Sequence, residues 1–171
     1  MPVRAVYISV GSNIEPETNI LQGLGHLAQR IRIAGLSTFY RTPAIDRPEQ
    51  PDYLNGVVAL ETDLTPASLR DLLRNVEDAQ GRERTADAYA ARTLDLDLLL
   101  CGETILNSAD LQLPDPDITA RPFLAAGLLE LAPELCLPGA STRLAEQIDP
   151  AAVAALAPAP AFTRELKENL L

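Results

Sequence analysis

The spacing of apolar residues predicts alternating strands and helices over the first hundred residues of the chain. Residues 3–10 and 53–62 alternate apolar and polar positions with the period of two that is typical of a half-buried strand. Residues 17–34 carry apolar side chains at helical spacing, and Gly35 is the predicted helix stop. Residues 36–41 are predicted to form a short strand.

Thr65 and Pro66 predict the start of a second helix, as its N-cap and first helical residue, and this helix is expected to run to Gly81. Residues 81–92 lack apolar periodicity and are expected to form an exposed loop before a strand at residues 93–100. The resulting order β-α-β-β-α-β predicts an α+β, ferredoxin-like fold, in which helices pack on an antiparallel sheet.

The length of 171 residues fits one domain with a sizeable core. Residues 1–149 are the predicted domain. Residues 150–171 are rich in alanine and proline and are predicted to be a C-terminal appendage that ends in a helix.

The composition limits the classes of partner and chemistry. A net charge of −10 disfavours nucleic acid as a partner, and no apolar run has the length of a membrane span. Lys167 is the single lysine, which excludes a P-loop, because that motif needs a lysine after its glycine-rich turn. Cys101 and Cys136 are expected to be reduced, as in a cytoplasmic protein, and a monomer is expected. His26 is the single histidine and lies in a helical pattern, so histidine-based catalysis is not expected.

Two aspartates interrupt the apolar run RTLDLDLLL of residues 92–100. In a strand Asp95 and Asp97 share one face, about 7 Å apart at their Cα atoms. Two like charges this close are costly to bury unless a cation lies between them, so the spacing indicates either a metal site or a solvated sheet face. Hard oxygen ligands beside Arg92 favour Mg²⁺ bridging a polyphosphate. Four leucines are expected on the opposite, buried face: Leu94, Leu96, Leu98 and Leu100.

The loop at residues 81–92 contributes Arg82, Arg84 and Arg92 next to these aspartates. Glu83 and Asp87 offset part of this charge, so a solvated mixed-charge loop is one interpretation. The other is a mobile lid whose arginines act on transferring phosphates.

Aromatic residues near polar ones suggest a second binding region. Tyr53 and Asn55 share one face of a strand, and Phe123 follows Arg121 in a later loop. Core packing is the alternative for each aromatic ring. An asparagine beside a tyrosine can also offer hydrogen-bond donors and acceptors to a planar heterocycle.

Five segments between about residue 5 and residue 139 together resemble the 6-hydroxymethyl-7,8-dihydropterin pyrophosphokinase family. In chain order they are GSNIEPETN, STFYRTPAIDRPEQPDYLNGVVALET, the E-x3-GR-x-R of Glu77 to Arg84, RTLDLDLLL, and LPDPDITARPFLAAGLLELAPEL. The resemblance implies a ferredoxin-like fold and an enzyme of folate biosynthesis. That enzyme transfers the pyrophosphoryl group of ATP to the hydroxymethyl oxygen of the dihydropterin, releases AMP and uses two Mg²⁺ ions.

The resemblance also implies roles for individual residues. Asp95 and Asp97 would hold both Mg²⁺ ions, and Arg82 and Arg92 would clamp the ATP phosphates during transfer, so these four form the expected catalytic set. Further contacts to ATP are expected from Glu77, Arg84, Asp115 and Arg121.

For the pterin, the resemblance implies that Tyr53 and Phe123 stack on either side of the ring. Asn55, with backbone groups near Thr42 and Pro43, would form hydrogen bonds with the edge of the ring.

Three positions depart from the family pattern. Asp115, within Pro114-Asp115-Pro116, stands where the family commonly has a histidine that helps to bind the ATP phosphates. Ala91 replaces the usual proline before Arg92, and Ala88 stands where a basic residue is frequent. Asp115 motivates a second hypothesis, a non-catalytic pterin- or nucleotide-binding paralogue. A third hypothesis, which sets the resemblance aside, is a ferredoxin-like regulatory module whose aspartates face water.

Overall fold

A computed structural model describes residues 2–171 of the chain. A single 3₁₀ turn is formed by Leu144–Gln147. The other elements, in chain order, are β1 (Arg4–Ser12), α1 (Pro16–Ala28), β2 (Arg32–Leu36), β3 (Tyr40–Thr42), β4 (Tyr53–Thr62), α2 (Pro66–Ala79), β5 (Asp95–Cys101), β6 (Leu106–Asn107), β7 (Gln112–Leu113), α3 (Asp117–Ala120), α4 (Pro122–Leu131), α5 (Pro150–Ala154), β8 (Ala157–Pro158) and α6 (Pro160–Leu170).

The main sheet is antiparallel, with the strand order β5-β1-β4-β3-β8. Strand β2 also pairs with β4, at Val58 to Glu61, whereas β3 pairs with the beginning of β4, at Tyr53 to Asn55. The second strand of the ferredoxin-like pattern is thus divided into β2 and β3. The order of strands and helices confirms the predicted ferredoxin-like α+β fold.

The predicted helix at residues 17–34 is wrong at its C-terminal end. Helix α1 ends at Ala28, and Arg32–Leu36 forms β2. The apolar residues at 31 and 33 fit a strand as well as a helix, and pairing of Ile33 with Leu60 of β4 selects the strand. Gly35 therefore lies in a strand, and a Cβ atom there would approach the side chain of Leu131 to 3.0 Å.

The predicted strand at residues 36–41 is also shifted. The chain leaves the regular ladder after Leu36 and resumes pairing only at Tyr40. In this interruption the Ser37 hydroxyl accepts the backbone N–H of Val57 at 2.8 Å, so that N–H keeps a partner.

Apolar side chains fill both faces of the sheet. Helices α1, α2 and α6 cover one face, with buried residues such as Leu24, Leu69 and Leu166. Helix α4 covers the other face through residues such as Leu124 and Leu128. No helix within residues 2–171 is long and apolar enough to cross a bilayer.

The segment beyond residue 150 packs against this core. Strand β8 pairs with β3, and Phe162 of α6 meets Phe39 edge to face, with the ring centroids 5.7 Å apart. The expected helix at the end of the chain is present as α6. The expected domain boundary at residue 149 stays a prediction.

Strand β5 carries a bulge that the leucine alternation did not reveal. Ile8 pairs with Leu98, but the preceding Tyr7 pairs with Leu100, so Leu99 is an extra residue in β5. After the bulge Leu100 lies on the α4 side of the sheet. Its predicted place beside the other three leucines is therefore wrong, whereas Leu94, Leu96 and Leu98 are buried under α1 and α2 as expected.

Candidate active site

The end of helix α2 places Arg82 beside Glu77. Gly81 adopts a left-handed conformation with φ of 73°, which a residue without a Cβ atom allows. The N–H of Arg82 then bonds to the carbonyl of Glu77, and the N–H of Gly81 to that of Asp78, which is the hydrogen-bond pattern of a Schellman motif. The segment from Glu77 to Arg82 therefore turns the arginine back toward its own helix.

Two arginines converge on Asp95 at the start of β5. Arg82 Nη1 lies 2.7 Å from Asp95 Oδ1, and Arg92 Nη1 lies 2.7 Å from Asp95 Oδ2. Each carboxylate oxygen of Asp95 thus has its own guanidinium partner.

Glu77 is the buried centre of this cluster, with 4% of its surface exposed. Its carboxylate accepts the N–H of Leu96 at 2.8 Å and pairs with Arg82 at 3.0 Å and with Arg84 at 2.6 Å. Burial raises the pKa of Glu77, while the Leu96 N–H and the two arginines oppose that rise. Glu77 therefore fixes the positions of both arginines relative to β5.

Asp97 differs from Asp95 because no arginine pairs with it within residues 2–171. The pKa of Asp97 is raised to about 7, mainly by burial and also by the carboxylates of Asp95, Glu77 and Asp115, whereas Arg92 opposes the rise. Asp97 is surrounded by protein atoms but keeps solvent access through the cavity beside it. A cation placed there would relieve this repulsion.

A charged cavity of about 620 Å³ lies between α2, the loop at residues 81–92 and β5. Among the predicted nucleotide and metal residues, those that line it are Glu77, Arg82, Arg84, Arg92, Asp95, Asp97 and Asp115. The structure thus brings together residues that are up to 38 positions apart in the chain.

A second cavity, of about 240 Å³, contains aromatic and small polar groups. All five predicted pterin-binding residues line it: Thr42, Pro43, Tyr53, Asn55 and Phe123. Asn55 Nδ2 donates to Thr42 Oγ1 at 2.6 Å, which orients the amide. Gly11 leaves room for that amide, because a Cβ atom at residue 11 would lie 2.4 Å from Asn55 Oδ1.

The two cavities meet at Arg92 and Asp95, which line both. Arg121 lines the aromatic cavity, where its Nε lies 3.5 Å from Asp117 Oδ2, and it is absent from the wall of the charged cavity. Its predicted contact with ATP stays a prediction.

Asp115 faces the charged cavity and a small cavity of about 40 Å³ that Asp95, Asp97 and Asp117 also line. Its Oδ1 accepts the N–H of Asp117 at 2.8 Å. Burial raises the pKa of Asp115, and the Asp117 carboxylate adds to this rise.

Asn13 joins the loops around the site, a role that the sequence interpretation did not assign to it. Asn13 is 2% exposed, and its Oδ1 accepts the N–H of Arg92 at 2.8 Å. Its Nδ2 donates to Gln50 Oε1 at 3.0 Å, and Gln50 Nε2 donates to the carbonyl of Tyr89 at 3.0 Å. Arg47 and Asp87 add an ion pair of 2.7 Å between the same two loops. The GSN segment was a signal for this residue, because it forms part of the resemblance.

Asp95 and Asp97 are a suitable pair of ligands for Mg²⁺. Residues 2–171 contain no group of three or more His, Cys, Asp or Glu side chains arranged around a metal position. Mg²⁺ is commonly bound by one or two carboxylates, with waters and substrate phosphates completing its shell. Asp95 and Asp97 on one strand face supply such a partial shell, open toward the charged cavity.

The fold and these cavities define a class of protein: a ferredoxin-like α+β protein with a carboxylate- and arginine-lined cavity that opens beside an aromatic one. A family model described as 7,8-dihydro-6-hydroxymethylpterin-pyrophosphokinase (HPPK) matches residues 7–133. The chain belongs to this family.

Sequence similarity to individual proteins supports membership of this family. A protein of Pseudomonas aeruginosa named 2-amino-4-hydroxy-6-hydroxymethyldihydropteridine pyrophosphokinase is 38% identical over 139 residues, which cover 80% of this chain and 85% of the relative. A protein of Haemophilus influenzae with the same name is 36% identical over 146 residues, which cover 82% and 91%.

Among solved structures, the crystal structure of a Plasmodium falciparum HPPK-DHPS protein with pteroate superimposes with a TM-score of 0.64 and 11% identity. The match covers 85% of this chain but 42% of the Plasmodium chain, so this chain spans less than half of that protein. At this identity the likeness shows the fold.

Proposed function

We propose that the chain is a pyrophosphokinase that transfers the pyrophosphoryl group of ATP to the hydroxymethyl oxygen of 6-hydroxymethyl-7,8-dihydropterin in folate biosynthesis. The hydroxyl oxygen attacks the β-phosphorus and loses its proton to solvent, the bond from that phosphorus to the α–β bridging oxygen breaks, and AMP leaves with the bridging oxygen. Family membership and the names of the relatives support this reaction.

The observation that carries the proposal is the junction of the two cavities at Arg92 and Asp95. A triphosphate in the charged cavity and a pterin in the aromatic cavity would present their reacting atoms to each other at this junction. Holding two reactants in such an orientation is a large part of catalysis in phosphoryl transfer.

The arginines would act on the phosphates. Arg82 and Arg92 are held by Asp95, and Arg84 by Glu77 and Asp78, close to where a triphosphate would lie. Guanidinium groups match phosphate oxygens in bidentate geometry and stabilise charge that develops during transfer.

Asp95 and Asp97 would hold two Mg²⁺ ions. Bound Mg²⁺ would neutralise phosphate charge and orient the triphosphate for in-line attack. Cations bound there would also remove the repulsion between the two carboxylates.

The pterin would lie between Tyr53 and Phe123, with its edge at Asn55 and Thr42. These groups line a cavity whose walls are half-buried, so a planar ring can stack while its amide edge reaches the donors.

The proposal includes a cytoplasmic monomer that binds no nucleic acid and no membrane. Cys101 and Cys136 are both free, which suits a reducing compartment, and the net charge is −10.

An AMP-release assay with ATP, Mg²⁺ and the dihydropterin tests the function. We expect one AMP and one pterin diphosphate per ATP consumed, and no AMP when the pterin is left out. Asp95→Asn serves as the matched inactive variant. Formation of ADP, or no AMP from the parent protein, contradicts the proposal, and the second result would favour a binding paralogue.

A further inference from the structure

The C-terminal segment 157–170, which comprises β8 and α6, lies beyond residues 7–133 that the family model matches. It packs on the main sheet, because β8 lies at the outer edge of that sheet and pairs with β3. Strand β3 is three residues long, and its other edge pairs with β4. The position of β3 therefore depends on the C-terminal segment on one side and on β4 on the other.

Phe39, the residue that precedes β3, is held by the C-terminal segment through both its backbone and its ring. Its N–H donates to Thr163 Oγ1 at 2.9 Å, and its carbonyl accepts the N–H of Ala159 at 2.8 Å. The Thr163 hydroxyl donates in turn to the carbonyl of Ala159 at 2.9 Å. The ring of Phe39 is fully buried and meets that of Phe162 edge to face. Two backbone hydrogen bonds and one ring contact thus join α6 and its preceding residue to Phe39.

Phe39 also lies against the strand that carries Asn55. A Cβ atom at Gly56 would lie 2.5 Å from the ring of Phe39, so this ring fills the space that the glycine leaves. The next residue, Tyr40, pairs with Asn55, and Thr42 at the end of β3 accepts the Asn55 amide at 2.6 Å. A shift of Phe39 is therefore transmitted to the Thr42 hydroxyl and the Asn55 amide over only three residues of chain.

The influence of β3 is confined to one of the two cavities. Thr42 and the residues that follow β3, at positions 43–45, line the aromatic cavity. Within residues 2–171, the wall of the charged cavity contains no residue of β3, β8 or α6. A displacement of β3 is therefore expected to change the binding of a ligand in the aromatic cavity and to leave nucleotide binding as it is.

We propose that Thr163 is a positioning residue for pterin binding: its hydrogen bond to Phe39 fixes β3, and β3 fixes the Thr42 hydroxyl and the Asn55 amide at the edge of the pterin. The inference rests on the proposed function, because it takes the aromatic cavity to be the pterin site. Without the Thr163 hydroxyl the buried N–H of Phe39 loses its acceptor, so positions of β3 in which this N–H reaches water become populated. The affinity for the pterin then falls with the fraction of molecules in which β3 keeps its present position.

The test compares Thr163→Val with Thr62→Val as a matched control. Thr163 is 7% exposed and Thr62 6%, and each hydroxyl accepts one backbone N–H, which for Thr62 is that of Leu64 at 3.1 Å. Thr62 lies at the opposite end of β4 from Asn55, where it pairs with Arg4. Both substitutions are nearly isosteric and remove one hydroxyl, so they test a hydrogen bond rather than packing. The control thus reproduces the loss of a buried acceptor without touching β3.

Fluorescence titration measures pterin affinity, calorimetry measures the affinity for Mg²⁺ with a non-hydrolysable ATP analogue, and AMP release gives the steady-state constants. We expect Thr163→Val to bind the pterin about fivefold more weakly than Thr62→Val, with a KM for the pterin raised by the same factor. The kcat at saturating pterin and the affinity for the ATP analogue should differ less than twofold between the variants, because bound pterin restores the position of β3. Thr163→Ser keeps the acceptor and should bind the pterin as the parent does.

A second readout follows the Asn55 amide directly. In NMR spectra the side-chain amide resonances of Asn55 report its hydrogen bond to Thr42. They should shift in Thr163→Val and stay in place in Thr62→Val and Thr163→Ser. Phe162→Leu removes the ring contact with Phe39 but keeps the hydrogen bonds of Thr163, so it should shift them too and weaken pterin binding by a smaller factor.

Equal pterin affinities of Thr163→Val and Thr62→Val would overturn the inference, as would Asn55 resonances that do not move. A fall in kcat or in nucleotide affinity as large as the fall in pterin affinity would also overturn it, because it would show a general loss of structure rather than a displaced β3. Failure of the proposed function is recognised separately: a parent protein that binds the pterin but releases no AMP contradicts the transfer reaction and leaves the comparison of pterin affinities valid. A parent protein that does not bind the pterin would overturn both proposals.

Discussion

The aromatic cavity and the charged cavity share Arg92 and Asp95 but differ in how their polar groups are engaged. In the aromatic cavity Asn55 is oriented by Thr42, and the uncharged rings of Tyr53 and Phe123 line the space beside Arg92, Asp95 and Arg121. In the charged cavity Arg82, Arg84 and Arg92 are held by carboxylates of the protein itself.

The difference follows from the ligands that we propose. A neutral planar ring is bound by groups that can stay in place, so the site can be formed in advance. A metal-bound triphosphate brings both cations and anions. Its metals would replace the arginines at Asp95, and the released arginines would move to the phosphates. On this proposal the charged cavity would bind its ligand by exchanging counter-ions, whereas the aromatic cavity would bind its ligand with groups that stay in place.

The largest effect is expected when a carboxylate that is proposed to bind metal is removed. Asp97→Ala should lower turnover by about 10³-fold, because charge neutralisation worth several kcal/mol is lost at the transferring group. Pterin binding should change little, since Tyr53, Asn55 and Phe123 are untouched. AMP release and fluorescence titration of the pterin measure the two effects. Near-normal AMP production would remove the metal interpretation of β5.

Arg92 lies where the two cavities meet, and its substitution tests whether this arginine acts on transfer rather than on binding. Arg92→Ala should lower kcat by about 10²-fold and lower the affinity for Mg²⁺ and ATP much less, because the arginine acts on charge that develops during transfer. Steady-state kinetics together with calorimetry of an ATP analogue separate the two quantities. Equal losses would make Arg92 an ordinary binding residue.

Gly11 tests the position of the Asn55 amide in the aromatic cavity, although Gly11 also pairs with Asp95 in the sheet. Gly11→Ala places a Cβ atom 2.4 Å from Asn55 Oδ1, so the amide must move and pterin affinity should fall about tenfold. Nucleotide affinity should stay unchanged. Gly25→Ala is the matched control, because nothing lies within 4 Å of a Cβ atom at that position. A loss of nucleotide affinity equal to the loss of pterin affinity would show that the two cavities are not independent.

Asp115 adds a negative charge to the charged cavity. At 4 Å and an effective dielectric near 20, a unit charge pair is worth about 4 kcal/mol, which solvent and Mg²⁺ should reduce to about 1 kcal/mol. Asp115→His should therefore tighten ATP binding about fivefold, although it also removes the acceptor for the Asp117 N–H. Weaker binding of Mg²⁺ and ATP in this variant would show that Asp115 is a ligand or an essential cap.

Neutralising each of the two aspartates of β5 by substitution should change the stability of the metal-free protein in opposite directions. The folded pKa of Asp97, about 7, lies above its ordinary value, so its ionisation makes the folded state less stable as pH rises from about 4 to about 7. Asp97→Asn should therefore stabilise the protein at pH 8, by about 1 kcal/mol after allowance for its solvent access, and by less at pH 5. Asp95→Asn should destabilise it at both pH values, because Arg92 loses its carboxylate partner and Arg82 keeps only Glu77. Urea unfolding at the two pH values measures these changes as differences in the free energy of unfolding.

Much of the fold was predictable from the residue pattern, and the predictions that were wrong have physical reasons. The period of two identified β4 and most of β5, and Thr65 with Pro66 marked the start of α2. Apolar residues at 31 and 33 satisfy both helix and strand periods, so only pairing with β4 selects β2. The bulge at Leu99 is invisible because leucine stands at every position around it.

The candidate site was predictable as a set of residues but not as a network. The spacing of Asp95 and Asp97 suggested a cation, yet nothing in that spacing distinguishes the aspartate held by two arginines from the one held by none. The role of Asn13 depends on contacts with residues 37 and 79 positions away, which local patterns do not report.

A crystal structure with Mg²⁺ and a non-hydrolysable ATP analogue tests the exchange of counter-ions most directly. The account predicts that both carboxylates of β5 face metal, that Arg82 and Arg92 have left Asp95 for phosphate oxygens, and that Asn55 still contacts Thr42. A bound nucleotide with both arginines still paired to Asp95, at the present 2.7 Å, would contradict it.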